Sequence, residues 1–195
     1  MRSMKIDRPE KGEKLAFHNR SQIHAEKKML SFMVKLQELN ASAADVKRNV
    51  VASLRVAPVG DGHHGRDFYK FFLTTYPEHR RFYKGAENIS GDEIMKSERF
   101  DKLGDAILLF VHVLSNTYDN EPVFRAFTRR VMLEHFERNI DPALWNIFFS
   151  TFWQGYLQSK GANLTADQKE AWNTLGSMFS QESQAYLNKM GRPHA

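Results

Sequence analysis

Apolar residues recur at steps of three and four along most of the chain, which is the period of an α-helix with one buried face. The clearest stripe runs from Phe100 to Tyr118. Comparable stripes lie in segments 46–54, 124–135, 144–155 and 172–187. No Asn-Gly or Asp-Gly turn joins two alternating apolar runs, and Asp61-Gly62 has the surroundings of a loop. The pattern therefore predicts an all-α protein.

Short polar residues and prolines mark where these helices begin. Ser90-x-x-Glu93 and Thr165-x-x-Gln168 each predict a capping box, and one long helix is expected after the first of them. Asp141-Pro142 predicts another start, because an acid caps the helix and proline is tolerated in its first turn. Pro77 opens a shorter helix, which Gly85 ends.

The first forty residues follow another pattern. Residues 1–19 are expected to be irregular, and 20–39 to form a basic amphipathic helix. Its apolar stripe consists of Ile23, Leu30 and Val34. Residues 40–42 are expected to interrupt that helix, and Ser42-x-x-Asp45 to start the next one. We therefore divide the chain into a basic N-terminal extension (1–41) and a helical domain (42–195).

Charge is concentrated at the start of the chain. Residues 1–35 contain nine Lys or Arg and four acids, so they carry the whole net charge of +5, and residues 36–195 are formally neutral. A nucleic-acid-binding domain would place its basic residues on the folded domain, so this class of partner is not expected. The extension is either a solvated tail or a contact with an acidic partner or a membrane surface.

Two kinds of feature that the sequence lacks limit the cellular compartment and the site chemistry to be expected. The chain has no cysteine, which excludes disulfides, iron–sulfur clusters and thiolate zinc sites. It has no apolar run of about 18–20 residues that could cross a membrane, and its charged N-terminus does not resemble a signal peptide. We therefore expect a cytoplasmic protein.

Eight histidines are the main candidates for site chemistry. None falls in an HExxH or paired metal-binding spacing, and no Gly-rich loop follows a strand. No arrangement of Ser, His and acid indicates nucleophilic catalysis. A dedicated enzyme is therefore not expected.

The order of several short motifs is more informative than any one of them. Phe82-Tyr83-Lys84-Gly85 is followed by Glu98-Arg99-Phe100-Asp101-Lys102, then by Glu134-His135, Asp141-Pro142-Ala143-Leu144-Trp145 and Ala171-Trp172. At these intervals the chain resembles the globin family, and most closely the nematode globins, over roughly residues 43–190. The resemblance implies a globin fold that holds haem b.

The resemblance also implies roles for individual residues. His135 matches the proximal histidine, which binds the haem iron. Tyr69 matches the tyrosine that donates a hydrogen bond to bound oxygen, and Phe82-Tyr83 the turn that packs on haem, with Tyr83 where Phe is usual. Ile107 matches the apolar residue over the iron. Met132, one turn before His135, is also expected in the cofactor site.

Leu103 is the main departure from the oxygen carriers, since it stands where they have His or Gln and cannot donate a hydrogen bond. We expect a gas-binding globin, acting on a diatomic gas such as oxygen in sensing, storage or scavenging. The alternative is a six-coordinate globin with two histidines on iron, acting in redox sensing or electron transfer with a redox partner. His79 or His112 would then supply the second histidine. The open sixth site is favoured, because closure needs a backbone rearrangement.

Overall fold

The structure, a computed structural model, describes residues 11–60, 63–135, 138 and 140–191. Its α-helices are α1 (Lys11–Ser53), α2 (His64–Thr75), α3 (Gly91–Lys96), α4 (Glu98–Thr117), α5 (Glu121–His135), α6 (Ala143–Ile147), α7 (Gln154–Ser159) and α8 (Ala166–Lys189). Short 3-10 segments cover Leu54–Val56 and Pro77–Phe82, and a π-helical segment covers Phe148–Trp153. No strand occurs within these ranges, which confirms the all-α prediction.

The chain divides into two compact units, 1–42 and 43–195, and α1 supplies residues to both. The sequence-based division after residue 41 lies one residue from this boundary. Within the described ranges, none of the helices combines the length and the apolar character that crossing a bilayer requires.

The continuity of α1 corrects two expectations. Residues 11–19 are helical, and the predicted interruption at 40–42 does not exist. Ser42 lies inside the helix and does not cap one. No Gly or Pro occurs from 13 to 57, and mid-helix Asn or Ser costs only about 0.5 kcal/mol relative to Ala, so these residues do not end a helix. The irregular stretch predicted for residues 1–10 lies outside the described residues.

α2 and α4 pack with their backbones in direct contact. A Cβ added to Gly65 in α2 would lie 2.3 Å from the backbone of Gly104 in α4, and one added to Gly104 would lie 2.7 Å from the backbone of Gly65. Only glycine at both positions permits this approach. The contact sets the distance between two helices that carry Tyr69, Leu103 and Ile107.

Aromatic side chains fill the interior of the 43–195 unit. The largest fully buried side chains are Trp153, Trp172, Tyr156, Phe68, Phe100, Phe124, Phe149 and Phe179. Trp172 is also fixed by a hydrogen bond, since its indole Nε1 donates to Ser53 Oγ at 2.9 Å. Buried aromatic rings supply large apolar contact areas and preferred edge-to-face geometries, so this interior is stiff as well as apolar.

The capping boxes at Ser90 and Thr165 are confirmed, but the helix after Ser90 is shorter than predicted. α3 ends at Lys96, and Ser97 has extended backbone (φ −86°, ψ 121°). Its hydroxyl accepts a hydrogen bond from Phe100 N, so Ser97 caps α4. The predicted long helix is therefore two helices, because a second serine offers its own cap.

The helix predicted to begin at Asp141-Pro142 begins at Ala143, whose amide donates to Asp141 Oδ1 at 2.8 Å. It does not continue as one regular helix. The π-helical segment, 148–153, separates α6 from α7. The extra residue per turn in such a segment changes which side chains face inward. Phe148, Phe149, Phe152 and Trp153 are all buried.

A buried carboxylate joins α5 to α8. Glu182 accepts hydrogen bonds from Arg125 at 2.6 Å and Arg129 at 2.5 Å, and Arg125 also pairs with Glu121. Two guanidinium partners offset the desolvation of a buried acid, and removing them would leave its charge uncompensated. This network holds α5, the helix that ends at His135, against α8.

We predict that Gly65→Ala destabilises the 43–195 unit by at least about 1 kcal/mol, because the added methyl meets backbone atoms that cannot rotate away. The loss should exceed the gain from the higher helix propensity of Ala. Chemical denaturation of the purified full chain measures the change in the free energy of unfolding.

Gly91→Ala is the matched control. Its added Cβ would meet only side-chain atoms of Lys70 and Thr74, the nearest at 3.1 Å. We expect little change in stability for this variant, since the Lys70 side chain can move. Equal effects from the two substitutions would refute the role given to the contact between α2 and α4.

Candidate functional site

Two adjoining cavities lie within the 43–195 unit. One has a volume of about 100 Å³ and the other about 330 Å³. Five residues line both of them: Tyr69, Ile107, His135, Arg138 and Trp145. These residues come from α2, α4, α5, α6 and the segment after α5, so the cavities lie where four helices meet. The larger volume falls in the range of cofactor sites, about 300–1,000 Å³.

His135 lies at the last residue of α5, with its ring at the edge of both cavities. Its Nδ1 is 2.9 Å from the carbonyl oxygen of Val131. A carbonyl can only accept, so Nδ1 carries the proton and Nε2 carries the lone pair. Burial lowers the pKa of His135, which favours the neutral ring, although the bond to Val131 acts in the opposite direction. The structure thus holds the tautomer and charge state that a metal-binding imidazole requires.

Trp145 fixes the plane of this ring. The two rings meet edge to face, with centroids 5.3 Å apart and an angle of 84° between planes. The indole Nε1 of Trp145 is buried and has no hydrogen-bond partner among the described residues. A buried donor left unsatisfied costs about 1–3 kcal/mol, so such a group on a cavity wall suits a site that takes a ligand.

Tyr69 and Tyr83 place two hydroxyls in the smaller cavity. Their rings meet edge to face with centroids 5.6 Å apart, and their hydroxyls share a hydrogen bond in which either phenol can donate. Burial raises the pKa of Tyr69 well above its ordinary value, and Tyr83 raises it further. Burial also raises the pKa of Tyr83. Both phenols therefore stay protonated and remain hydrogen-bond donors at neutral pH.

Arg138 supplies a positive charge beside these groups. It is exposed, lines both cavities, and lowers the pKa of Tyr69, Tyr83 and His135 through its charge. A guanidinium with one side on a cavity and the other in solvent is suited to pairing with a carboxylate at the cavity mouth. Neither Arg138 nor Trp145 was among the predicted site residues. The Asp141-to-Trp145 motif pointed to Trp145, whereas no periodic pattern pointed to Arg138.

The remaining predicted residues divide between the two cavities. Leu103 and Ile107 from α4 line the larger one, and Ile107, Phe82 and Tyr83 line the smaller one. Met132 is buried one turn before His135 and is not among the residues that line either cavity. The wall contributed by Leu103 and Ile107 is apolar, so the hydroxyl among the residues that line the larger cavity is that of Tyr69.

His79 is buried against three phenylalanines and lines the smaller cavity together with His135. Its ring stacks on Phe72 at 5.4 Å and on Phe82 at 6.1 Å, and meets the edge of Phe152 at 4.9 Å. Burial lowers the pKa of His79, while Glu78, 3.7 Å away, raises it. The net direction favours a neutral imidazole.

His112 occupies a different environment. Its Nε2 is 2.9 Å from the carbonyl oxygen of Ala57, which joins α4 to the segment after α1. His112 does not line either of the two cavities. Of the two histidines considered for the second ligand position, the structure brings only His79 to the cavity of His135.

Comparison with known proteins identifies the fold family. A family model described as "Globin" matches residues 66–183. A globin, cuticular isoform, from Nippostrongylus brasiliensis is 50% identical over 156 residues, which cover 79% of this chain and 90% of that relative. A myoglobin from the same organism is 51% identical over 154 residues, which cover 77% of this chain and 99% of the relative.

Solved structures agree. The structure of a globin-like protein from Caenorhabditis elegans superposes with a TM-score of 0.74 at 41% identity, covering 78% of this chain and 98% of that one. The match confirms the expected fold and the resemblance on which the site residues were chosen. From the family model, these relatives and the shared fold, the chain belongs to the globin family.

Proposed function

We propose that this globin binds haem b through His135 Nε2 and takes a diatomic gas, oxygen first among them, for sensing, storage or scavenging. Membership of the globin family implies haem binding, and haem, when bound, supplies the iron at which gas is held. The observation that carries the assignment is the hydrogen bond from His135 Nδ1 to the Val131 carbonyl, which leaves Nε2 as the nitrogen with the lone pair. When the other ring nitrogen of a metal-binding histidine donates to a carbonyl, that hydrogen bond orients the ring and fixes its tautomer.

The surrounding residues fit a large, flat, mostly apolar group with acidic substituents. Phe82, Ile107 and Phe148 supply apolar walls. Arg138 offers a charge partner for carboxylates at the mouth, and Trp145 offers an unsatisfied indole N–H on the wall. Such a group would bury apolar surface against these walls and give Arg138 and the Trp145 N–H polar partners. Typical cofactor sites combine apolar walls with a few polar contacts in this way.

We expect Tyr69 to donate a hydrogen bond to the bound gas. Tyr69 is buried and lines the larger cavity together with Leu103, which cannot donate, so we propose that Tyr69 takes the role that Leu103 lacks. When Tyr69 donates to a ligand, its proton points away from Tyr83. A phenol both donates and accepts, so Tyr83 can then donate to the Tyr69 oxygen and strengthen it as a donor.

A second function has a specific observation in its favour. His79 is buried, neutral and lines the cavity that His135 lines. If it approached the iron, the protein would be a six-coordinate haem globin suited to redox sensing or electron transfer. His79 is stacked between Phe72 and Phe82, so it would have to leave that packing. His112, bonded to Ala57, is not proposed.

We propose no dedicated enzymatic activity, since the site holds neither a nucleophile–base pair nor a carboxylate pair among its lining residues. We also propose that the protein acts in the cytoplasm, whereas two relatives are named as a cuticular isoform and an extracellular globin.

We predict that His135→Ala loses most of its haem, because the bond between iron and imidazole is the main specific anchor. The measurement is the haem absorbance per mole of purified protein. Free imidazole should restore binding, since it fills the vacated position on the iron.

His63→Ala, which removes an exposed histidine, serves as the control and should keep full haem content. Full haem content with an unchanged spectrum in His135→Ala would refute the assignment. A colourless wild-type protein would refute haem binding as a whole.

The ferrous protein without added ligand decides between the two functions. We expect a five-coordinate spectrum and rapid carbon monoxide binding, because reaching the iron would strain the backbone at His79 by about 1–3 kcal/mol. Sharp, split visible bands would instead indicate six-coordinate iron. His79→Leu should then restore the five-coordinate spectrum, whereas His112→Leu should leave it unchanged.

We predict that Tyr69→Phe raises the dissociation rate of oxygen about two- to tenfold, the loss of one neutral hydrogen bond. Tyr83→Phe should raise it less, and only while Tyr69 is present. Stopped-flow measurement on the two single variants and the double variant tests this, because a residue that acts through another has no effect once that other is removed. A slower dissociation in Tyr83→Phe would mean that the two tyrosines compete.

A further inference from the structure

The described part of the N-terminal unit presents one unusual surface, the amphipathic segment 27–38 of α1. Half of its twelve residues have large apolar side chains, and all of these are exposed, from 39% for Leu36 to 67% for Leu30. The six are Met29, Leu30, Phe32, Met33, Val34 and Leu36. Single exposed apolar residues need no explanation, whereas a contiguous group indicates a binding surface.

These side chains share one side of the helix. At about 100° per residue, the six apolar residues and Gln37 fall on an arc of about 200°, with Met33 at its centre. The opposite side holds the polar residues Lys27, Lys28, Ser31, Lys35 and Glu38. The segment is therefore strongly amphipathic, with a wide apolar face.

The charged residues beside the apolar face of segment 27–38 indicate what kind of surface it binds. The polar side has three lysines and one glutamate, and Lys27 and Lys28 lie next to the two edges of the apolar arc. Lysines at such edges can extend their ammonium groups toward anionic headgroups while their stems cover apolar surface. Two copies of this segment would each bring a net charge of +2, from three lysines and one glutamate, and a coiled-coil seam would use a narrower apolar stripe. The charge is thus complementary to an anionic surface rather than to a second copy.

We propose that segment 27–38 binds the surface of an anionic lipid bilayer, lying parallel to it with Met33 at the deepest point. A basic helix with Leu, Phe and Met on its other side is suited to the boundary between headgroups and acyl chains. The lysines supply attraction to the negative surface, and the six apolar side chains supply insertion. The proposal concerns the N-terminal unit and does not depend on the haem site.

The test is sedimentation of the full-length protein with vesicles of phosphatidylcholine, with and without phosphatidylserine. We expect binding to the phosphatidylserine vesicles, weakened by added salt, and little binding to phosphatidylcholine alone. Lys27→Gln and Lys28→Gln, at the two edges of the apolar arc, should each weaken binding about fivefold, which is the contribution of one lysine near an anionic surface.

Two substitutions that add the same charge separate insertion from simple attraction. Met33→Glu puts an acid at the centre of the apolar arc and should weaken binding at least about tenfold more than Ser31→Glu, because it also removes the methionine that inserts deepest into the bilayer. Ser31→Glu puts the acid on the polar side. Both variants should keep the helical circular dichroism spectrum of the wild type, which shows that they fold and that α1 remains helical.

Three results would overturn the proposal. The first is no binding to either kind of vesicle, and the second is equal binding to both. The third is an equal loss in Met33→Glu and Ser31→Glu, which would mean that the apolar face does not insert. Sedimentation equilibrium without lipid adds a fourth: a dimer that Met33→Glu dissociates would show that a second copy covers the face.

Discussion

The direct contact between Gly65 and Gly104 is the constraint on which the site depends. Their backbones touch, and any larger side chain at either position would push α2 away from α4. α2 carries Tyr69, and α4 carries Leu103 and Ile107. A wider separation of the two helices would therefore widen the cavities and move the Tyr69 hydroxyl relative to His135. Close packing transmits such shifts because protein interiors contain little free space.

The side of the cavities that α5 forms is held by polar contacts and not by close backbone packing. α5 is tied to α8 through the buried carboxylate of Glu182 and two arginines. At the end of α5, His135 is fixed at Nδ1 by the Val131 carbonyl and at its face by Trp145. Each contact removes one degree of freedom from the imidazole. A ring with one allowed tautomer and one allowed plane needs little reorganisation to bind a metal.

The site is also where polar groups are buried at a cost. Tyr69, Tyr83 and His79 lie among phenylalanines, and burial moves the pKa of each toward its neutral form. Trp145 Nε1 has no partner among the described residues. A sequence selected for stability alone would avoid such groups, because buried polar atoms stabilise a fold only when they are satisfied. These four residues line the same pair of cavities, which is consistent with the site that we propose there.

The helical class and the capped starts at Ser90 and Thr165 could be predicted from the sequence, because periodicity and capping act between residues close together in the chain. The family, and His135 as the candidate iron ligand, were predicted instead from the order of motifs spread over residues 82–172. The three-dimensional structure was needed to show that His79 and not His112 shares a cavity with His135, and that Arg138 lines this cavity. It also decided that Ser97 ends one helix and begins another, and that α1 continues through 40–42. These outcomes depend on which distant elements meet and on small differences between competing local conformations, and neither is contained in the period of apolar residues along the chain.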